Sequence, residues 1–185
     1  MPYEVPRSPD DALRVLHHDR GPEALERASF ILSRLVGAPF ARRGLVKFSL
    51  SGIPASSTIL SATLQLTSDT PVATGAQTIN VHRLTRFWTE GSASGAGGDG
   101  AATAGGGATW TNSSFATTWT SAGGDFAASA SGSLSVNAPG THTSTSLLTD
   151  VQNWFSGANS NFGWLLKNSS EASSGTVKRF HTSEE

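Results

Sequence analysis

In residues 57–67 (STILSATLQLT) apolar side chains fall on every second position, with Leu60, Ala62, Leu64 and Leu66 on one side and Ser61, Thr63 and Gln65 on the other. An extended chain has a side-chain period of two, so this spacing demands a strand with one dry and one wet face. The same period governs residues 43–50 (RGLVKFSL), where Val46, Phe48 and Leu50 alternate with Leu45, Lys47 and Ser49 until Gly52, Ile53 and Pro54 end the run. Residues 78–85 (TINVHRLT) supply a third strand, with Arg83 sharing the face of Ile79 and Val81, either partly buried against a carboxylate, as a salt-bridged structural arginine, or at a sheet end, and His82 turned to solvent. Residues 163–168 (GWLLKN) and 176–182 (TVKRFHT) are the last two strands expected, joined by a Ser-rich turn. Short strands broken by turn residues specify an all-β antiparallel sandwich.

One short helix is expected at residues 146–155 (SLLTDVQNWF), where Leu147 or Leu148, Val151 and Trp154 or Phe155 recur at three to four and Gly157 suits the C-terminal cap. It would lie across one mouth of the sandwich. Long Gly/Ser/Thr-rich loops complete the chain. Residues 91–107 (GSASGAGGDGAATAGGG) hold no side chain able to anchor a core, so backbone entropy favours a long mobile loop there. Beyond it Trp110, Phe115, Trp119 and Phe126 stand at irregular spacing among polar residues, the pattern of an ordered loop that packs aromatics onto a sandwich end. Trp88 and Trp154 read as structural rings covering the sandwich ends, with Glu90 bonding a loop backbone or an arginine.

The first 40 residues carry 5 Lys/Arg and 6 Asp/Glu against 8 and 8 in the remaining 145, so the composition changes near Ala41. Within the first part, residues 23–36 have helix-compatible content without a clean stripe, and a weak helix or disorder is expected. The organisation is thus a charged N-terminal segment, 1–41, followed by a β-sandwich domain, 42–185.

At 185 residues one domain with a real core is the expectation. A net charge of −1 with no Lys/Arg run excludes a basic stripe for nucleic acid, and no apolar run is long enough for membrane insertion. Zero cysteines removes disulfides, thiolate metal sites and cysteine nucleophiles together. The N-terminus lacks the basic, apolar and small-residue order of a signal peptide.

Residues 95–100 (GAGGDG) spell G-x-G-x-x-G, but that motif holds a pyrophosphate only between a strand and a helix, and here Ala/Thr/Gly coil follows. Residues 123–126 (GGDF) read as a turn capped by Asp125. Ca²⁺ is the one cofactor these Gly/Asp clusters suggest, yet Asp99 and Asp125 alone are too few for a cage, so no cofactor is expected. Hydrolase or lyase chemistry needs paired carboxylates or a His/Tyr/Arg set converging on one cleft. The domain offers isolated acids with His82, His142 and His181, and Tyr3 stands outside it, so a non-catalytic module is expected. Trp110 and Trp119, in polar stretches, are the candidates for stacking on a sugar ring.

The blocks RRGLVKFSLSGIPASSTILSATLQL, HRLTRFWTEG, ATWT with a later Trp and GGDF, LLTDVQNWFSGANSNFGWLLK and KRFHTSEE, in that order, resemble the DNRLRE domain, also classed as carbohydrate-binding module family 96. The resemblance runs from Arg42 to Glu185, roughly four-fifths of the chain, and rests on the succession of blocks more than on any one. It implies a jelly-roll-like sandwich, an extracellular or cell-surface setting, covalent linkage to other domains of a larger bacterial protein, and polysaccharide as partner. An acidic polymer such as alginate belongs to the implied ligand class, and Lys47, Arg86, Lys178 and Arg179 would then offer it a basic groove. The alternative is a structural spacer or adhesion module that binds no glycan. Family members open with a further strand and close with one more, and a fragment or misread frame would account for both departures here.

Overall fold

The computed structural model describes residues 41–68, 75–90 and 107–180, together with the backbone of three earlier strands at 12–17, 21–25 and 31–36. The fold is an all-β sandwich. One sheet orders β10 (Gly140–Thr143), β5 (Ile59–Ser68), β1 (Ala12–His17) and β2 (Gly21–Leu25); the other orders β3 (Ile31–Val36), β4 (Arg42–Lys47), β11 (Trp164–Asn168), β6 (Gln77–Arg83) and β9 (Gly132–Val136). A separate hairpin joins β7 (Asn112–Ser114) to β8 (Thr117–Thr118), and every strand pairing is antiparallel. The one helix among the described residues is α1 (Leu148–Phe155), which ends where Gly157 takes φ 76° and its amide donates to the Trp154 carbonyl.

Residues 23–36 are not helical. β2 and β3 lie in that span, and with β1 they extend the two sheets, so the sandwich begins well before Arg42. The physical reason is tertiary: β1 sets Leu13 and Val15 opposite Leu64 and Ala62, and β3 sets Leu32 opposite Val46, which no local helix stripe could match. The strand expected at 176–182 is likewise absent over 176–179, where only Phe180 bridges to Ser68, and 181–185 lie outside the described residues. The loop reading of 91–107 falls outside them too, except for Gly107.

β5 follows the alternation with one correction. Leu60 is exposed and Ile59 is buried, because the pairing to β1 slips between Leu16 and His17 and leaves Leu60 without an opposite residue. Such a bulge reverses the facing of the residues beyond it. From Ala62 on, Ala62, Leu64 and Leu66 point into the core against Val46, Ile79, Val81, Leu134, Val136, Trp164 and Leu166. Val151 and Trp154 of α1 close this core, and α1 is tied to β5 by the Leu147 amide on the Ala62 carbonyl and by Gln152 Nε2 on that of Ile59.

A second apolar cluster lies on the opposite face of the larger sheet. Leu45 and Leu165, next in sequence to the core residues Val46 and Trp164, pack with Leu84, Trp88, Ala108 and Trp119. Strands buried on both faces read as continuous apolar runs, which is why WLL and LV break the alternation. The described cover over this face is residues 84–90, which follow β6, and 107–127, which lead back to it at Ala127, together termed the cap below.

Candidate functional site

The cap is zipped to β6 at its two ends: Leu84 bridges Phe126, the Thr85 amide donates to the Asp125 carbonyl at 2.9 Å, and the Ala127 amide donates to the Arg83 carbonyl at 2.8 Å. Inside, the Thr89 amide donates to Ser113 and the Thr89 carbonyl accepts from Ala108, so residues 86–89 run beside the β7–β8 hairpin. Its indoles are pinned through their N–H groups: Trp88 Nε1 donates to the Phe162 carbonyl at 2.8 Å and Trp119 Nε1 to that of Thr109 at 2.9 Å. A buried indole with its donor satisfied is a rigid anchor.

Two ion pairs hold the rim. Arg43 reaches out of β4, giving Nε and Nη2 to the two oxygens of Glu171 at 3.0 and 2.7 Å and Nη1 to the Gly123 carbonyl at 2.8 Å. Its guanidinium lies 4.8 Å from the centre of the Trp110 ring and 5.4 Å from that of Phe126, so one side chain clamps strand, cap and the turn after β11. Burial disfavours charge on Glu171, but Arg43, followed by Lys167, outweighs it and holds the carboxyl below its ordinary pKa. Arg86 in turn donates to the Thr118 carbonyl, Thr120 Oγ1 and Asp125 Oδ2. Asp125 caps its turn as the sequence suggests, accepting from the amides of Thr120 and Ser121. Those bonds and Arg86 overcome its partial desolvation and lower its pKa. With amide donors and a guanidinium already on it, Asp125 is a poor Ca²⁺ ligand, and Asp99 lies outside the described residues.

Of the residues singled out as binders, Trp119 is corrected: it is 4% exposed, wedged in the second cluster, and cannot stack on a sugar. Trp110 is half-buried, with Arg43 on its ring and Gly123 packed close against it. The basic groove is not assembled. Arg86 is committed to the cap, Lys47 ends β4 beside the Val46–Trp164–Arg83 row, and Lys178 donates to the Gly75 carbonyl at 2.7 Å beyond the other end of β6. The length of β6 separates those two ends by about 20 Å. Burial lowers the Lys178 pKa, and Arg179, exposed, follows it in the chain at that far end.

His82 is also corrected. It is buried rather than solvent-facing, its Nδ1 2.9 Å from the Ala127 carbonyl and its ring edge-on to Phe126, because the cap covers the face it points to. Arg83 does meet a carboxylate, with Nε 3.7 Å from Asp150, whose other oxygen accepts from Trp164 Nε1 at 2.7 Å. Among the described residues no group of three or more His, Asp or Glu side chains is placed to hold a metal ion.

Sequence reasoning missed the two aromatics that the cap presents outward. Phe115, at the hairpin turn, is 77% exposed and Phe87 is 54% exposed. The available signal was the turn itself, an aromatic set between Asn-Ser-Ser and Ala-Thr-Thr, where a packing role has no neighbours to use. Neither the family models, the curated proteins nor the solved structures that were searched contain a match to this chain.

Proposed function

We propose that this chain is a non-catalytic β-sandwich module that binds polysaccharide, working as one part of a larger secreted or surface protein. The observation that carries this reading is the outward surface of the cap, where two large aromatic side chains stand in water on a support fixed by satisfied indoles and two ion pairs. Exposed aromatics on a rigid platform suit a ligand with an apolar face and a polar rim, which a pyranose has. The acids Asp125, Asp150 and Glu171 are each committed to arginine or indole partners, an arrangement that serves structure rather than proton transfer. The likeness to the DNRLRE domain points the same way.

A spacer or adhesion role is the second reading, and one observation favours it. On the β5–β10 pair of the smaller sheet polar side chains bond one another, Gln65 Nε2 to Thr143 Oγ1 at 3.0 Å and Thr67 Oγ1 to Thr141 Oγ1 at 3.1 Å, so these groups are committed to each other. A glycan array probed with the full chain separates the two. Saturable binding to any glycan supports the module reading, and no binding by a sample with a cooperative melting transition leaves the spacer.

A further inference from the structure

We infer that the tip of the β7–β8 hairpin is the glycan contact, with Phe115 and Phe87 as its two stacking rings, and that the polysaccharide it takes is neutral rather than acidic. This rests on the binding reading above and adds the site and the ligand class.

The hairpin is built to hold Phe115 outward. Asn112 pairs with Thr118 and Ser114 with Thr117, and the Asn112 amide donates to Thr109 Oγ1 at 3.0 Å, so the two-residue turn Phe115-Ala116 closes on a fixed base. Ala116 sits at φ 61°, the one non-glycine residue in the left-handed region among the described residues. That conformation is unfavourable for a residue with a Cβ and persists only where the surroundings impose it. Strain at the turn and the most exposed large apolar side chain thus coincide in neighbouring residues. Phe87 belongs to the same surface, because Arg86 before it is bonded to Thr118 of one hairpin arm and Thr89 after it to Ser113 of the other.

The charge around these rings selects the ligand. No Asp, Glu, Lys or Arg stands between Asp99 and Asp125 in the sequence, so the hairpin and its flanks are charge-free. The cation next to Phe87 in the chain, Arg86, has its guanidinium on Asp125 at 3.2 Å. The hairpin arms that flank Phe115 carry hydroxyl and amide: Asn112, Ser114, Thr117 and Thr118. An aromatic face carries negative quadrupole charge and meets the polarised C–H face of a sugar, while hydroxyls and amides suit the hydroxyl groups on its edge. A uronic acid carboxylate would meet Arg86 already paired to Asp125, with little left to offset its lost hydration.

The test uses the full chain and its Phe115→Ser, Phe87→Ser and doubly substituted forms, titrated with soluble β-glucan, mannan and xyloglucan as neutral probes and with alginate and polygalacturonate as acidic ones, at low and raised salt. The expected result is saturable binding of at least one neutral polymer, unchanged by salt, weakened about tenfold by each single substitution and abolished by the pair. Melting temperatures stay at the wild-type value. Undiminished binding in the double variant overturns this site while leaving the module reading intact. Preferred, salt-sensitive binding of alginate overturns the neutral ligand class. No binding of any polymer by the folded wild-type chain overturns both, and self-association abolished by Phe115→Ser in that case would assign the rings to a second copy of the chain.

Discussion

The two faces of the larger sheet are covered by different means. On the inner face Val46, Trp164, Leu166, Ile79 and Val81 meet a second sheet whose β5 alternates from Ala62 to Leu66, and regular ladders fix the register. On the outer face Leu45, Leu165 and Leu84 meet irregular chain whose two buried indoles, Trp88 and Trp119, are placed singly, each by its own N–H bond to a backbone carbonyl. The inner core is held by area and the outer one by area plus staples at Arg43–Glu171 and Arg86–Asp125. The difference teaches that one sheet can be sealed by a regular partner on one side and by stapled irregular chain on the other, where the staples fix the cover while Phe87 and Phe115 stay outside any core.

Substitutions can break this comparison or sharpen it. Trp164→Ala removes a fully buried indole from the inner core and leaves Asp150 with the Arg83 pair alone, so a loss of about 4 kcal/mol in urea unfolding is expected, with both regions melting together. Leu165→Ala, one residue away but on the other face, should cost about 3 kcal/mol and loosen the cap first, seen as an early change in Trp119 fluorescence. A single transition of equal size for both would show that the faces are not separable.

Gly123→Ala tests the rim. Gly123 has φ 94°, and a Cβ there would run into Arg43 Nη1 and the Trp110 ring, so about 2 kcal/mol should be lost while the β5 and β6 ladders stay protected in hydrogen exchange. Equal loss of protection across cap and ladders would contradict a rim role.

Acid probes the staples themselves. Glu171 and Asp125 have folded pKa values below their unfolded ones, so the folded chain binds fewer protons than the unfolded chain. Their stabilisation is complete above the unfolded values, about 4, and is lost as pH falls through the lower folded ones. The melting temperature should therefore drop on acidification below about pH 4. Glu171→Gln should cost about 1 kcal/mol at neutral pH and flatten that drop, and an unchanged acid profile would remove Arg43–Glu171 from the account. Smallest of all, Phe115→Ser should change stability by less than about 0.5 kcal/mol, since most of the ring stands in water.

The sequence made the inner core legible because period two, a helical run closed by Gly157 and the WLL block are local signals of one-sided or two-sided burial. Leu60 was misplaced since a bulge depends on the partner strand β1, and His82 because nothing local announces a cover. β9 and β10 went unseen, although Leu134 and Val136 alternate, because their other residues are the Ser, Gly and Thr of loops. Residues 23–36 signal only a weak helix or disorder when taken alone, because β3 and the end of β2 that lie there are set by pairing to other strands. In the cap, aromatic content marks the segment, but which rings face water is decided by its own hydrogen bonds: Trp119 turns inward and Phe115 outward.

The central claim is that the cap, and not the sandwich faces, carries binding. Hydrogen exchange of the full chain with and without a saturating neutral glycan tests it most directly. Added protection confined to residues 86–89 and 112–118 is the predicted result, whereas protection centred on Lys47, on Lys178 and Arg179, or on the Thr-lined face of β5 and β10, or none at all, would contradict it.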